Sequence, residues 1–355
     1  MKQPINRLNC LMNKLHLDAA VVVSKPNKLY LTGYEYEEGY LLIDHSCVKL
    51  FVDPRFSIYA KTHLSGVDVV ESKQPLKDLR NNLKRYKRIG LDGSGLLHKD
   101  FLDITSKLAG QTFIFIQQHI LKFRAIKRDD EVDYIKKASS IANSAIRRLL
   151  NKLTSGLTER QVAEILNLEL ANAGSDGPSF ETVIAFDEHA AFAHAIPSST
   201  TVLKDKKLLL CDFGAIYKGY HSDETHTFFI NKMDNKSRRL YSAVLGAHDR
   251  AISAVRAGLK ASELDRVARE FLDKQGYGKY FGHALGHGVG LEVHELPSIS
   301  YRSKDVLEPG MIFTIEPGVY IPGWGGIRIE SMIYISSRGK EHLTPRHKPV
   351  IKLEA

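Results

Sequence analysis

Cysteine is scarce in these 355 residues: Cys10, Cys47 and Cys211, an odd number with no clustering. That excludes a disulfide framework, spells no thiolate zinc site, and points to a reducing compartment, with the cytoplasm as the expected location. Long apolar runs are missing too. No stretch approaches about 18 consecutive apolar residues, the length of a membrane span. The opening MKQPINRLNCLMNKL has no uninterrupted apolar core of the kind a secretory signal requires. No short tandem repeat or low-complexity segment occurs, and the helical zinc-protease motif His-Glu-x-x-His is absent. What remains is an ordinary soluble composition, 43% hydrophobic and 26% charged, in a chain long enough for two domains.

Charge is unevenly placed. Residues 1–128 hold 21 Lys+Arg against 12 Asp+Glu, whereas residues 129–355 hold 29 of each, so the net +9 lies in the N-terminal part. A basic domain attracts nucleic acid. The richest run, KRYKR at Lys84–Arg88, is short and has one aromatic residue. It is therefore read as a solvated surface.

The pattern along the chain divides near residue 125. Before it, strand-like runs (Ala19–Val23, Gly39–Ile43, Val48–Val52, Ile89–Leu91, Thr112–Ile116) alternate with helical spacing at Arg7–Leu15, Arg55–His63, Leu76–Tyr86 and Lys99–Leu108. This predicts an α/β domain over 1–125 with a small mixed sheet. The charged segment Phe123–Ala138 marks the boundary, with Asp129 or Asp130 as cap of a long helix. Thr158-x-x-Gln161 is a capping box for a helix running to Gly174, and Ser262 is expected to cap a helix running to Gly276. The second domain, 126–355, is predicted α+β, with helices and a mainly antiparallel sheet. It carries a coarse echo: helix, helix, strands over about 131–230, and the same again over about 237–335.

Two stretches of this domain read as strand–turn–strand around a Gly-rich middle: LLLCDFGAIYKGYHSDETHTFFI and IFTIEPGVYIPGWGGIRIESMIYI. A turn centred on Tyr217–Lys218 would set Asp212 across from Asp223. A turn centred on Gly323 would set Glu316 across from Glu330. Like charges facing each other across a strand pair are destabilising, so two such pairs imply cations between them. The segment GHALGHGVGLEVHE (Gly282–Glu295) supplies imidazoles. His283 and His287 have the i, i+4 spacing of a helical zinc pair, but Gly286, Gly288 and Gly290 argue for extended backbone passing close to a metal or ligand. Oxygen-rich ligation with an imidazole favours Mn²⁺, Fe²⁺, Co²⁺ or Zn²⁺. Four carboxylates suit two bridged ions better than one, and Arg328 is a single cation against four acids. Paired metals activate water and polarise a carbonyl or phosphoryl oxygen, so amide or phosphoester hydrolysis follows as the reaction class.

The strings DFGAIYKGYHSDETHTF, GHGVGLEVHE, IFTIEPGVY and GGIRIE, in this order, resemble the pita-bread metallopeptidases: the proline-specific peptidases (aminopeptidase P and prolidase), the methionine aminopeptidases and creatinase. RLNCLMNKLHLDAAVVVSKPNKLYLTGY resembles the opening of the creatinase/prolidase N-terminal domain, and SFETVIAFDEHAAFAHAIPS a substrate-side strand and loop. The resemblance implies a creatinase/prolidase-type domain over 1–125 and a pita-bread catalytic domain over 126–355. It implies metal ligands Asp212, Asp223, His287, Glu316 and Glu330, with Asp223 and Glu330 bridging two divalent ions, Mn²⁺ foremost and Co²⁺, Zn²⁺ or Fe²⁺ as alternatives. It implies that His194 contacts substrate, that His294 stabilises the tetrahedral intermediate or shuttles a proton, and that Glu316 relays the proton of a metal-bridging hydroxide. Three positions depart from the pattern: His226 where Arg is usual, Ser331 where Asp is common, and Phe186–Asp187 where Ser-Gly is common.

The implied activity is hydrolysis of the N-terminal Xaa-Pro bond, by an Xaa-Pro aminopeptidase or dipeptidase working as a homodimer. Proline is favoured over methionine because methionine aminopeptidases generally lack the extra N-terminal domain, and creatinase does not keep the ligands found here. A methionine aminopeptidase-like exopeptidase and a non-catalytic pita-bread binding protein are the alternatives.

Overall fold

The structure, a computed structural model, describes residues 2–108, 110–204 and 207–353. The chain forms two compact units, Met1–Arg124 and Ala125–Ala355.

The first unit is built on a six-stranded mixed sheet in the spatial order Asp68–Glu71, Val48–Val52, Tyr40–Asp44, Ala19–Val22, Arg88–Leu91, Thr112–Phe115. Its central strand Ala19–Val22, an uninterrupted apolar run, is buried throughout. Three elements escape the periodicity argument. The edge strand Asp68–Glu71 (DVVE) is half exposed and short. The helix Lys25–Thr32 is one of two turns, set by a proline in its first turn and by Gly33 in the left-handed region at φ 82° rather than by an apolar stripe. The helix Gln117–Ala125 follows the last strand without a turn signal.

The second unit repeats one plan. Helices Asp129–Leu150 and Glu159–Asn172 precede strands Val183–Phe186, Leu208–Phe213 and Glu224–Ile230, and helices Asn235–Ala254 and Ala261–Lys274 precede strands Gly286–Gly288 through Ser331–Ser336. Two apolar clusters pack against the strands, one around Ile146, Leu166, Phe213 and Phe228, the other around Val244, Leu264, Phe313 and Ile333 with Leu210 and Phe229 of the first half. The strands pair antiparallel, apart from Val350–Ile351, which runs parallel to Glu224–Ile230.

The helix starts are partly as read. Thr158 and Gln161 exchange the two bonds of a capping box, Gln161 N to Thr158 Oγ1 at 3.2 Å and Thr158 N to Gln161 Oε1 at 2.9 Å. The long helix is capped one residue earlier than expected, at Arg128, whose N–H donates to Glu131 Oε2 at 2.9 Å. Asp129 and Asp130 instead fill the first turn, where they complement the helix dipole. Ser262 likewise lies inside its helix, which begins at Ala261 after Lys260.

The two hairpins differ in where they turn relative to the sequence expectation. The second turns at Gly323: Gly318 pairs with Arg328 and Ile315 with Ser331, and the same register sets Glu316 against Glu330. The first does not turn at Tyr217–Lys218. Tyr217 pairs with Tyr220 and Asp212 with Thr225, so the turn is Lys218–Gly219 and Asp223 is diagonal to Asp212 rather than opposite. Lys218 and Gly219 both have positive φ, 51° and 77°, as a tight two-residue hairpin turn demands. Such turns favour Asn-Gly or Asp-Gly, and a lysine gives no such signal.

Candidate metal centre

Strand alternation puts Asp212 and Thr225 on one face of the first hairpin and Cys211, Phe213 and His226 on the other. Glu330 is tied to this hairpin by its backbone, since Glu330 N donates to Thr225 O at 3.1 Å. Arg328 N donates to Thr227 Oγ1 at 3.1 Å. The strand Gly286–Gly288 brings in His287. A side chain at Gly286 would strike Thr314 O at 2.0 Å, and one at Gly288 would strike Leu296 O at 2.1 Å. The close approach that these glycines permit is therefore to neighbouring strands, not to a ligand.

Among the described residues, Asp223, His287 and Glu330 offer donor atoms within 4.8 Å of one another. Asp223 and Glu330 are 4% and 3% exposed. His287 Nε2 lies 3.4 Å from Asp223 Oδ2 and 3.3 Å from Glu316 Oε1. Its other nitrogen, Nδ1, is 3.1 Å from Gly288 O; donation there leaves Nε2 with a lone pair facing the acids. Two threonines brace the carboxylates. Thr225 Oγ1 lies 2.7 Å from Glu330 Oε2 and 3.1 Å from Asp212 Oδ1, and Thr314 Oγ1 donates to Glu316 Oε1 at 3.2 Å while accepting His287 N at 3.1 Å.

Asp212 stands slightly apart. Arg328 Nη2 donates to its Oδ2 at 2.5 Å. The remaining Arg328 donors reach Thr225 Oγ1, Ala193 O and the Tyr320 hydroxyl. Burial opposes that charge, but Asp212 above all holds Arg328 protonated well above its ordinary range.

The acids are under-compensated as they stand. Burial first, then repulsion from Glu330, Asp212 and Glu316, pushes Asp223 well above the usual carboxylate range. Burial, then Glu316 and Asp212, does the same to Glu330. Burial lifts Glu316 to about 8. The same burial, with His294 nearby, lowers His287 to about 4. Neutral imidazole and crowded oxygen donors, with one guanidinium spent on Asp212, form a donor set suited to hard or borderline divalent cations.

These residues line a cavity of about 490 Å³. His194 is an exposed part of that lining. His294 joins it with its ring 4.2 Å from the His287 ring, and desolvation followed by His194 lowers its pKa. Three further residues of the lining, His283, Tyr320 and Arg328, are not among the site residues expected from the sequence. The i, i+4 spacing presents His283 only as half of a helical pair. In the fold its Nε2 is 3.1 Å from the Tyr320 hydroxyl, and burial lowers it to about 4. Arg328 and Tyr320 carry a signal that strand alternation could have read, since both share the parity of Glu316 and Glu330. Tyr320 lies against Gly326, where a Cβ would meet Ala190 O at 1.9 Å.

The three departures point away from this cluster. His226 Nε2 is 2.9 Å from Glu224 Oε2, on the opposite face of the hairpin. Ser331 Oγ contacts His248 Nε2 at 3.2 Å. Asp187 Oδ1 accepts the Lys207 and Leu208 N–H groups.

Residues 133–337 match metallopeptidase family M24, and residues 4–126 match the creatinase/prolidase N-terminal domain. The chain is 34% identical over 352 residues to an Xaa-Pro dipeptidase of Pyrococcus furiosus, covering 99% of this chain and 100% of that one. It superposes on an Xaa-Pro dipeptidase from Bacillus anthracis with a TM-score of 0.93 at 31% identity, covering 99% of each chain. An X-Pro aminopeptidase from Thermotoga maritima matches with a TM-score of 0.89 at 30% identity, over 97% of this chain and 100% of that one. Among the described residues no helix is long and apolar enough to cross a membrane. With this pita-bread domain and the creatinase/prolidase-type domain before it, the chain belongs to metallopeptidase family M24.

Proposed function

We propose that this protein hydrolyses the bond between an N-terminal residue and a following proline, as an Xaa-Pro aminopeptidase or Xaa-Pro dipeptidase. The observation that carries the reading is the buried, under-compensated trio Asp223, His287 and Glu330 in a cavity large enough for a few residues of peptide. Relatives named for Xaa-Pro hydrolysis support it. Residues 1–125 form the creatinase/prolidase-type domain of this reading, and 126–355 the catalytic one.

Asp212, Asp223, His287, Glu316 and Glu330 would hold two divalent ions, Mn²⁺ foremost. Bound there, the ions would supply an activated water and polarise the scissile carbonyl. The chain supplies the rest. Acidic lining favours a substrate's free amino terminus. Glu316, oriented by Thr314, takes a proton from the nucleophile and passes it toward the proline nitrogen, which must be protonated to leave. His294, beside His287, donates to the oxygen that becomes negative in the tetrahedral intermediate. His194 contacts the substrate from the exposed side. A homodimer working in the cytoplasm completes the proposal.

The test is hydrolysis of Ala-Pro and of a longer Ala-Pro peptide after chelation, then with Mn²⁺ or Co²⁺ restored. Activity should vanish on chelation and return with metal. Turnover that chelation leaves untouched would overturn the reading.

A further inference from the structure

The helix Ala261–Lys274 contributes no residue to the cavity lining, yet it carries an ion pair, Asp265 buried and Arg269 partly exposed, whose bonds reach the loop bearing the lining residue His283. Asp265, with its side chain 0% exposed, accepts Arg269 Nε at 2.8 Å on Oδ2 and Arg269 Nη2 at 2.8 Å on Oδ1. Asp265 Oδ1 also accepts the Leu285 N–H at 3.2 Å. On its outer edge Arg269 donates to two backbone carbonyls, Nη1 to Phe281 O at 3.0 Å and Nη2 to His283 O at 2.9 Å. Its guanidinium stacks 4.3 Å from the Phe281 ring centroid. An i, i+4 pair of this kind commonly decorates a solvated helix face. Here a buried carboxylate and a planar fork grip alternate residues 281, 283 and 285 of one loop.

That loop leads to the reacting groups by two routes. His283 lines the cavity and contacts the Tyr320 hydroxyl at 3.1 Å. Leu285 O accepts the Glu316 N–H at 2.8 Å, so the residue whose N–H is held by Asp265 holds the Glu316 backbone through its carbonyl. We propose that Asp265 and Arg269 are positioning residues: their ion pair sets segment 281–285 and, through it, the His283 ring and the Glu316 carboxylate. The geometry demands arginine. Lysine keeps the charge but has no planar fork with which to meet a carboxylate on one edge and two carbonyls on the other.

The inference rests on the peptidase reading, and its test separates the two. Arg269→Lys and Asp265→Asn are compared with the parent protein in two measurements. In metal-free protein, hydrogen exchange over residues 281–287 should quicken at least tenfold while exchange in the helix Asn235–Ala254 is unchanged. In Mn²⁺-loaded protein, kcat on an Ala-Pro peptide should fall at least tenfold with KM changed less than twofold. Arg269→Lys is the milder change and keeps the test open if Asp265→Asn lowers the folded yield. Parent-like kcat overturns the proposal even if exchange quickens, because the pair would then be structural only. A fall in kcat with unchanged exchange over 281–287 overturns it as well. A parent protein that cleaves no Xaa-Pro peptide sinks the peptidase reading, while the exchange result still reports on the clamp.

Discussion

The hairpin turning at Gly323 and the hairpin turning at Lys218–Gly219 deliver carboxylates to one cavity by different means. In the second, the pairings Ile312–Tyr334 to Ile315–Ser331 and Gly318–Arg328 to Ile321–Gly325 share one register, and Glu316 and Glu330 occupy the gap between the two ladders at positions that this register sets opposite each other. Its site face also carries Arg328 and Tyr320, and its other face is apolar, with Ile315, Val319, Ile327 and Ile329 in the core. In the first, Asp212 faces Thr225, a hydroxyl rather than an acid. The face behind it is interrupted by Glu224 and His226, with the His347 ring 4.7 Å from that of His226. One hairpin therefore sets acid opposite acid, and the other sets a neutral hydroxyl opposite its acid, where it reaches both Asp212 and Glu330 of the neighbouring hairpin. Across the two halves the pattern recurs, with Thr225 beside Asp212 and Glu330, and Thr314 beside Glu316 and His287. A hydroxyl can donate to a carboxylate and accept from a neighbour at once, so it aims the acid without neutralising it.

Removing an acid breaks the arrangement most completely. Glu330→Gln should abolish Xaa-Pro hydrolysis, with at least a thousandfold loss in kcat/KM, while the metal-free protein unfolds at the same temperature or higher because a buried like-charge repulsion is relieved. Assay and thermal melting check the two halves of that statement. Removing a brace costs less. Thr225→Val keeps shape and loses the hydroxyl, so metal affinity or activity should fall by roughly 10–100-fold. Thr314→Val in the other half should do the same, and metal titration compares them directly. If Thr225→Val matched the parent while Thr314→Val did not, the proposed equivalence of the halves would fail.

The polar patch behind the first hairpin predicts a pH effect that the apolar back face of the second hairpin does not supply. Burial, then His226, lowers His347 to about 4 from its ordinary value near 6.5. The unfolded chain thus takes up a proton below about 6.5 that the folded protein resists, and stability falls as pH drops from about 6.5 toward 4. His347→Gln should flatten that fall by no more than about 1 kcal/mol, because the ring is partly solvated. Denaturant titration at pH 7 and pH 5 reads the difference. The smallest effect belongs to the turn itself. Lys218 at φ 51° is a strained choice beside the glycine used at Gly323. Lys218→Gly should stabilise by a few tenths of a kcal/mol, the conformational relief being partly offset by the entropy of glycine in the unfolded chain. Thermal melting with unchanged activity is the expected result.

Much of the catalytic unit was legible because its signals are local. Apolar alternation and Gly323 mark the second hairpin, the Thr158–Gln161 box starts its helix, and the glycines around His287 exclude a helix there. The first hairpin misled because a shift of one residue in the turn moves the pairing by two, keeping every side chain on its own face while changing its partner. Alternation cannot detect such a shift. In the N-terminal unit, the strand Asp68–Glu71 was illegible because a half-exposed edge needs little apolar residue to form.

The residues themselves determined the chemistry: which acids and imidazoles exist, and which share a face, since parity along a strand is covalent. Tertiary structure decided which of them meet. Asp212 is engaged by Arg328, 116 residues away in sequence, and the loop bearing His283 is held by a helix pair whose two residues look like ordinary surface charge. Those contacts depend on backbone positions set by the packing of distant strands and helices. Local spacing does not encode such separations.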